Sequence, residues 1–236
     1  MSNDTDLYSG FRHPGEIISN VVWLYHRFAL SFRNVEEILR SRGVEVTYES
    51  VRQWCLRFGA EYAKRIRVRA RRCGDTWHLE EVFVRINGNQ SYLWRAVDQE
   101  GDVLDILVQP RRNAKAARRF FRKLLKGHGY SPRIVVTDKL KSYSAAHRKL
   151  GMGALHETDR YRNNRAENSH QPTRQKERQM RGFKSACHAQ RLLSALGPIQ
   201  DLFRHDRHLM PAQSYRQLWE KGMEEWNEVA GIVPAI

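Results

Sequence analysis

Cysteine is scarce in this chain, and what there is does not pair. Cys55, Cys73 and Cys187 stand far apart with no Cys-x-x-Cys among them, which excludes a disulfide framework and the ligand spacing of a structural zinc site. Long apolar runs are missing too. No stretch reaches the roughly 18 consecutive apolar residues of a membrane-spanning helix, and Met1 to Asp6 are polar, with no basic segment leading into an apolar one. The expectation is a soluble, cytoplasmic protein. Acids are the third shortage: 26 Asp and Glu stand against 41 Lys and Arg, a net charge of +15 over 236 residues. That imbalance favours a polyanionic partner, nucleic acid above all.

What is present is a foldable chain. Hydrophobic residues make up 41% of it, enough for one large domain or two small ones. Residues 1–13 read as a flexible arm. Pro14 suits the first turn of a helix, and Ile17, Val21, Leu24 and Phe28 recur at helical spacing behind it. Ser31 or Asn34 can cap a second helix that Gly43 ends, and Thr47 can cap a third with Val51, Trp54, Cys55 and Phe58 as its apolar stripe. Two short helices across a glycine-containing turn outline a helix-turn-helix over 14–63. Its second helix would offer Tyr48, Glu49, Arg52, Gln53 and Arg57 to base edges. Lys64 to Arg72 then crowds bases together and reads as a basic linker over 64–75, able to lie along phosphates.

From Trp77 the pattern changes to strands. Residues 77–86 alternate, Asn87-Gly88 is a hairpin turn, 90–97 and 103–108 follow as β-rich runs, and Asn113 can cap a helix over 114–126. A short apolar run, Ile134-Val135-Val136, delivers Thr137-Asp138-Lys139 at the carboxyl end of a strand, where open α/β sheets place ligands. Helix over 140–150, a short strand within 151–156 and a helix capped by Asn163 or Asn164 come next. Pro172 kinks that helix or starts a new one at Gln171. A helix over 186–204, interrupted by Gly197-Pro198, and a helical tail over 205–236 complete the chain. Three strands, helix, strand and more helix is the order of a ribonuclease-H-like mixed sheet, here spanning 76–204 and preceded by an all-α region.

Three acids stand out in this basic chain. Alternation puts Glu80 on the face of Val82 and Val84, with Glu81 on the other. Asp138 follows a buried strand, and Glu167 sits in Asn163-Asn164-Arg165-Ala166-Glu167-Asn168. Taken singly, each is an ordinary cap or dipole partner. Together, Glu80, Asp138 and Glu167 supply the oxygen ligands that magnesium or manganese prefer. Lys139, Arg165, Arg174, Arg178, Arg181 and Lys184 would stand by to hold phosphates.

Trp77-His78-Leu79-Glu80-Glu81, Tyr92 to Asp98, Val136 to Tyr143, Asn163 to His170 and Arg181-Gly182-Phe183-Lys184-Ser185 resemble the transposases of insertion-sequence family six. The likeness runs from about Phe11 to about Leu209. It implies a helix-turn-helix ahead of a ribonuclease-H-like domain with an Asp-Asp-Glu triad. It further implies recognition of terminal inverted repeats, oligomeric action with magnesium, and joining of 3′-hydroxyl ends to target DNA by replicative cointegrate formation in the bacterial cytoplasm, at the nucleoid. Carried over by position, the triad falls on 80, 138 and 167, with Arg174 as the basic residue that follows the glutamate. At the first position the family has aspartate and this chain has Glu80, longer by one C–C bond, about 1.5 Å. Two outcomes stay open: an active transposase that uses Glu80, or a DNA-binding protein that cannot cut and acts as a repressor or inhibitory subunit.

Overall fold

The computed structural model describes residues 7–69, 73–158, 163, 170–205 and 207–232. They divide into two compact units, 1–69 with 195–236, and 70–194.

The first unit is helical. Helices α1 (Gly15–Arg27), α2 (Phe32–Arg40) and α3 (Tyr48–Arg69) follow in order, with α8 (Ala212–Ala230) at its far end. Ser31 starts α2 through a capping box: its hydroxyl accepts from Asn34 N, and Asn34 Oδ1 accepts from Ser31 N at 2.9 Å. Gly43, at φ 75°, turns the chain toward α3. Thr47 Oγ1 receives Ser50 N at 3.2 Å to open that helix. Val21, Val22, Val35, Val51, Trp54 and Phe58 are buried between the three helices. Helices α1 and α3 approach closely at Gly59, where a Cβ would stand 2.7 Å from the His26 ring.

Two expectations change here. Lys64 to Arg69 form no linker but the last turns of α3, because Tyr62, Ala63 and Ile66 continue its buried stripe at helical spacing. Nor is the region before Pro14 wholly a loose arm: the Tyr8 hydroxyl bonds Tyr62 at 2.6 Å and donates to the Ala230 carbonyl at 2.7 Å, while Phe11 packs on Phe58. The C-terminal helix belongs to the same core, with Trp226 set edge-on to Tyr62.

The second unit is a five-stranded sheet in the order β3-β2-β1-β4-β5, formed by β1 (Thr76–Ile86), β2 (Asn89–Val97), β3 (Val103–Gln109), β4 (Ile134–Thr137) and β5 (Leu155–Thr158). β1–β2 and β2–β3 pair antiparallel, while β1–β4 and β4–β5 pair parallel, which is the ribonuclease-H-like arrangement. Asn87 and Gly88 both have positive φ, 48° and 77°, as a tight two-residue hairpin requires.

Helices α4 (Ala114–His128) and α5 (Lys141–Leu150) cover one face. There Phe120, Phe121, Leu124 and Tyr143 bury Trp77, Leu79, Trp94 and Ala96. The other face carries Glu80 and its cross-strand partner Arg95, and meets α6 (Gln171–Gln179) through Thr173, which accepts from Arg95 at 3.4 Å. Pro172 lies in the first turn of α6, so the proline starts a helix. Helix α7 (Ala186–Asp201) runs unbroken through Pro198. The expected interruption is absent: the helix continues for three residues past the proline.

Candidate active site and nucleic-acid surfaces

β1 outruns β4, and this offset builds the site. Their pairing ends at Leu79 with Thr137, so Glu80, still within β1, and Asp138, the first residue past β4, come next along neighbouring parallel strands. They do not share partners. Glu80 Oε2 is 2.6 Å from His170 Nε2, just ahead of α6. Asp138 folds its Oδ1 back onto Leu140 N at 3.0 Å and faces Arg112 with Oδ2 at 3.5 Å. Glu80 is 16% exposed and Asp138 33% in their side chains, so both carboxylates remain within reach of solvent.

Glu81 points to the helical face, as alternation requires, and its side chain is 1% exposed. Arg112 Nε donates to its Oε1 at 2.5 Å. Oε2 and the Tyr143 hydroxyl are both buried and, among the described residues, have only each other as a hydrogen-bonding neighbour, close enough for each to shift the other's ionisation. Burial pushes the Glu81 carboxyl up, with Tyr143 and Arg112 opposing that rise and Asp138 adding to it. Burial likewise holds the Tyr143 phenol well above its ordinary value, with Glu81, Asp138 and Glu80 all contributing. Three carboxylates therefore lie within electrostatic range of one phenol.

Glu167 and Arg165 lie outside the described residues. Among the described residues no cluster of three or more His, Cys, Asp or Glu is arranged to hold a metal ion. The two accessible carboxylates, Glu80 and Asp138, are nevertheless the oxygen donors that a hard divalent cation takes.

Beyond Glu80 the open edge of β1 is closed by α6 and the loop after it. Arg174 Nη1 donates to Phe83 O at 2.5 Å and pairs with Glu177 at 3.1 Å. Glu177 Oε1 accepts from Arg85 N at 2.7 Å, and Phe183 bonds Arg85 O and Asn87 N through its backbone. Arg174 thus has a strand-closing contact. A groove here is lined by Phe83, Arg85, Arg174, Arg178, Arg181 and Lys184, with Glu177 its acid. Arg178, Arg181 and Lys184 are exposed, as is Lys139 beside Asp138.

In the helical unit, Tyr48 is 45% exposed at the start of α3. Arg52 makes two bonds to Glu49, at 2.8 and 2.6 Å, and Gln53 donates to the same carboxylate. This holds the Glu49 carboxyl down at about 2. Arg57 stacks over Phe11 at 4.9 Å. Glu49, Arg52 and Gln53 therefore form one linked polar cluster on the outer surface of α3.

Sequence reasoning assigned no part to His170, Arg112 or Tyr143. His170 closes a quoted motif, three residues after Glu167 in sequence, and its place there was the signal for it. Tyr143 likewise closes a quoted stretch, Val136 to Tyr143, whereas Arg112 carries no such mark, since only the folded sheet brings it to Glu81.

Comparison with known proteins gives the chain a family. Residues 74–206 match a family described as a DDE domain. The transposase for insertion sequence element IS257 in transposon Tn4003 of Staphylococcus aureus is 32% identical over 197 residues, 81% of this chain and 86% of that protein. The transposase for insertion sequence-like element IS431mec of Staphylococcus aureus is 31% identical with the same coverage. Among solved structures, the catalytic core of BIV integrase aligns over 65% of this chain and 99% of its own, at 14% identity and a TM-score of 0.39. The HTLV-2 integrase core in complex with magnesium, in its trimeric form, covers 52% and 84% at 12% identity and a TM-score of 0.39. The match across the sheet unit and the identity over most of the chain place this protein in the DDE-domain family of insertion-sequence transposases, insertion-sequence family six.

Proposed function

We propose that this chain binds the terminal inverted repeats of its insertion sequence and catalyses metal-dependent cleavage and transfer of DNA strands, by replicative cointegrate formation, as a homodimer or higher oligomer at the bacterial nucleoid. Glu80, Asp138 and Glu167 are its catalytic carboxylates. The observation that carries this reading is the register of β1 against β4, which makes Glu80 and Asp138 the next residues along neighbouring parallel strands.

Those carboxylates would hold Mg2+ or Mn2+, which when bound activates the attacking oxygen and stabilises the leaving one. The protein's own part is to fix the donors and the strand. Asp138 is oriented by its turn onto Leu140 N, and Glu80 by His170. The basic groove beside β1, with Arg178, Arg181 and Lys184 exposed, carries phosphates, and Lys139 and Arg165 share that task. The exposed start of α3, with Tyr48, Glu49, Arg52, Gln53 and Arg57, reads the repeat ends.

A second reading has its own support: Glu80 Oε2 is engaged by His170, which suits a protein that binds the repeats and does not cut. Strand transfer on a terminal-repeat substrate, in magnesium and in manganese, separates the two with Glu80→Asp and Asp138→Asn as companions. Joining by the native chain, abolished in Asp138→Asn, supports the enzyme. Joining only by Glu80→Asp establishes the non-cutting binder.

A further inference from the structure

Arg112 lies between β3 and α4, outside the stretches quoted above for the family resemblance. Its guanidinium spans two acids of opposite character. Nε is fixed at 2.5 Å to Glu81, whose side chain is 1% exposed, while Nη2 reaches 3.5 Å to Asp138, whose side chain is 33% exposed. The buried contact is tight and the accessible one loose. A buried carboxylate needs a counter-charge held in place, so Glu81 anchors the guanidinium. The planar fork then presents its outer nitrogen to the second carboxylate, a geometry that a lysine ammonium does not reproduce. Because arginine stays charged under all ordinary conditions, this positive charge always stands beside Asp138.

We propose that Arg112 is a stand-in cation in the ion-free site: anchored on Glu81, it holds the Asp138 carboxylate and must yield it when a divalent ion binds. Arg112 is then a positioning residue that sets the affinity of the site for the ion. It keeps Asp138 placed while the protein carries no ion and no DNA, and it weakens ion binding until the ion's charge outweighs its own. This rests on the reading of Asp138 as a metal ligand.

The test is Mn2+ binding to the full chain without DNA, followed by the electron paramagnetic resonance of the free ion. Removing one positive charge at this range should tighten binding about tenfold in Arg112→Gln, while Arg112→Lys, which keeps the charge but cannot span both acids, should fall between Arg112→Gln and the native affinity. Should Arg112→Gln fail to fold because Glu81 is left buried and unpaired, Glu81→Gln against the double variant Glu81→Gln/Arg112→Gln poses the same question with the buried carboxylate neutralised. Tighter binding in whichever pair folds supports the proposal. Unchanged or weaker binding overturns it. Asp138→Asn distinguishes the failures: if it loses Mn2+ while the Arg112 variants bind as the native chain does, only the stand-in role falls. If Asp138→Asn binds Mn2+ as the native chain does, the ligand reading falls and takes this proposal with it.

Discussion

The contact between Glu80 and His170 should be worth measurable stability. The two side chains are 16% and 7% exposed, and their nearest atoms are 2.6 Å apart. Glu80→Asp withdraws the carboxylate by one C–C bond, about 1.5 Å, which opens the contact to roughly 4 Å, beyond hydrogen-bonding range. A hydrogen bond to a charged group contributes about 1.5–3 kcal/mol. At about 2–4 °C per kcal/mol for a chain of this size, the melting temperature should drop by roughly 3–12 °C. A double-mutant cycle isolates the term. His170→Ala should cost the native chain about as much, and should cost the Glu80→Asp protein little, because the bond is already gone. The assay is thermal and urea unfolding of the four proteins, with circular dichroism confirming the same fold. If the two substitutions add without coupling, or if Glu80→Asp melts with the native chain, the reasoning that Glu80 is held by His170 is wrong.

Other perturbations test other parts. Gly59→Ala gains about 1 kcal/mol of helix propensity but sets a Cβ 2.7 Å from the buried His26 ring, an overpacking cost of about 1–3 kcal/mol. Net destabilisation is expected in urea unfolding, and a gain would mean that α1 yields easily. His147 and His156 stack with centroids 5.0 Å apart, and burial lowers both, with His147 further lowering His156. The unfolded chain therefore takes up protons first: stability is full above the ordinary imidazole value of about 6.5 and falls as pH drops through the lowered values. His156→Phe should flatten that loss in melts from neutral to mildly acidic pH, and an unchanged slope would discount the pair. Replacing Arg52 and Gln53 with alanine should weaken binding to the terminal repeat by about 5- to 150-fold per lost base contact while sparing unrelated duplex. Equal loss on both DNAs would make these residues phosphate contacts.

The sheet was legible because its signals were local. Alternation over 77–86, the Asn87-Gly88 turn and the Asn113 cap each depend on a few neighbours, and each stands in the structure where the pattern puts it. The two acids were legible for the same reason, as polar residues in segments that bury apolar ones. The run from Lys64 to Arg69 misled because charge density is a weak guide to backbone: Ile66 alone, four residues after Tyr62, carried the helical signal. The C-terminal helix was opaque because its role depends on Trp226 meeting Tyr62, 164 positions away in sequence. Arg112 was invisible on the same grounds, since its two acids come from two different strands.

The glutamate at position 80 is easier to understand with His170 beside it. An aspartate there would leave His170 Nε2, in a residue 5% exposed, without the acceptor it now has, while the histidine Nδ1 is buried and, among the described residues, makes no hydrogen bond. The longer side chain reaches that nitrogen with Oε2, and among the described residues Oε1 makes no hydrogen bond. One oxygen can therefore anchor the side chain while the other faces an ion, and an anchored glutamate loses less of its positional accuracy than its extra rotatable bond would suggest. On this argument Glu80 and His170 form one unit. Glu80→Asp alone removes the anchor as it shortens the arm, so its full effect on strand transfer should emerge only when His170 is changed with it.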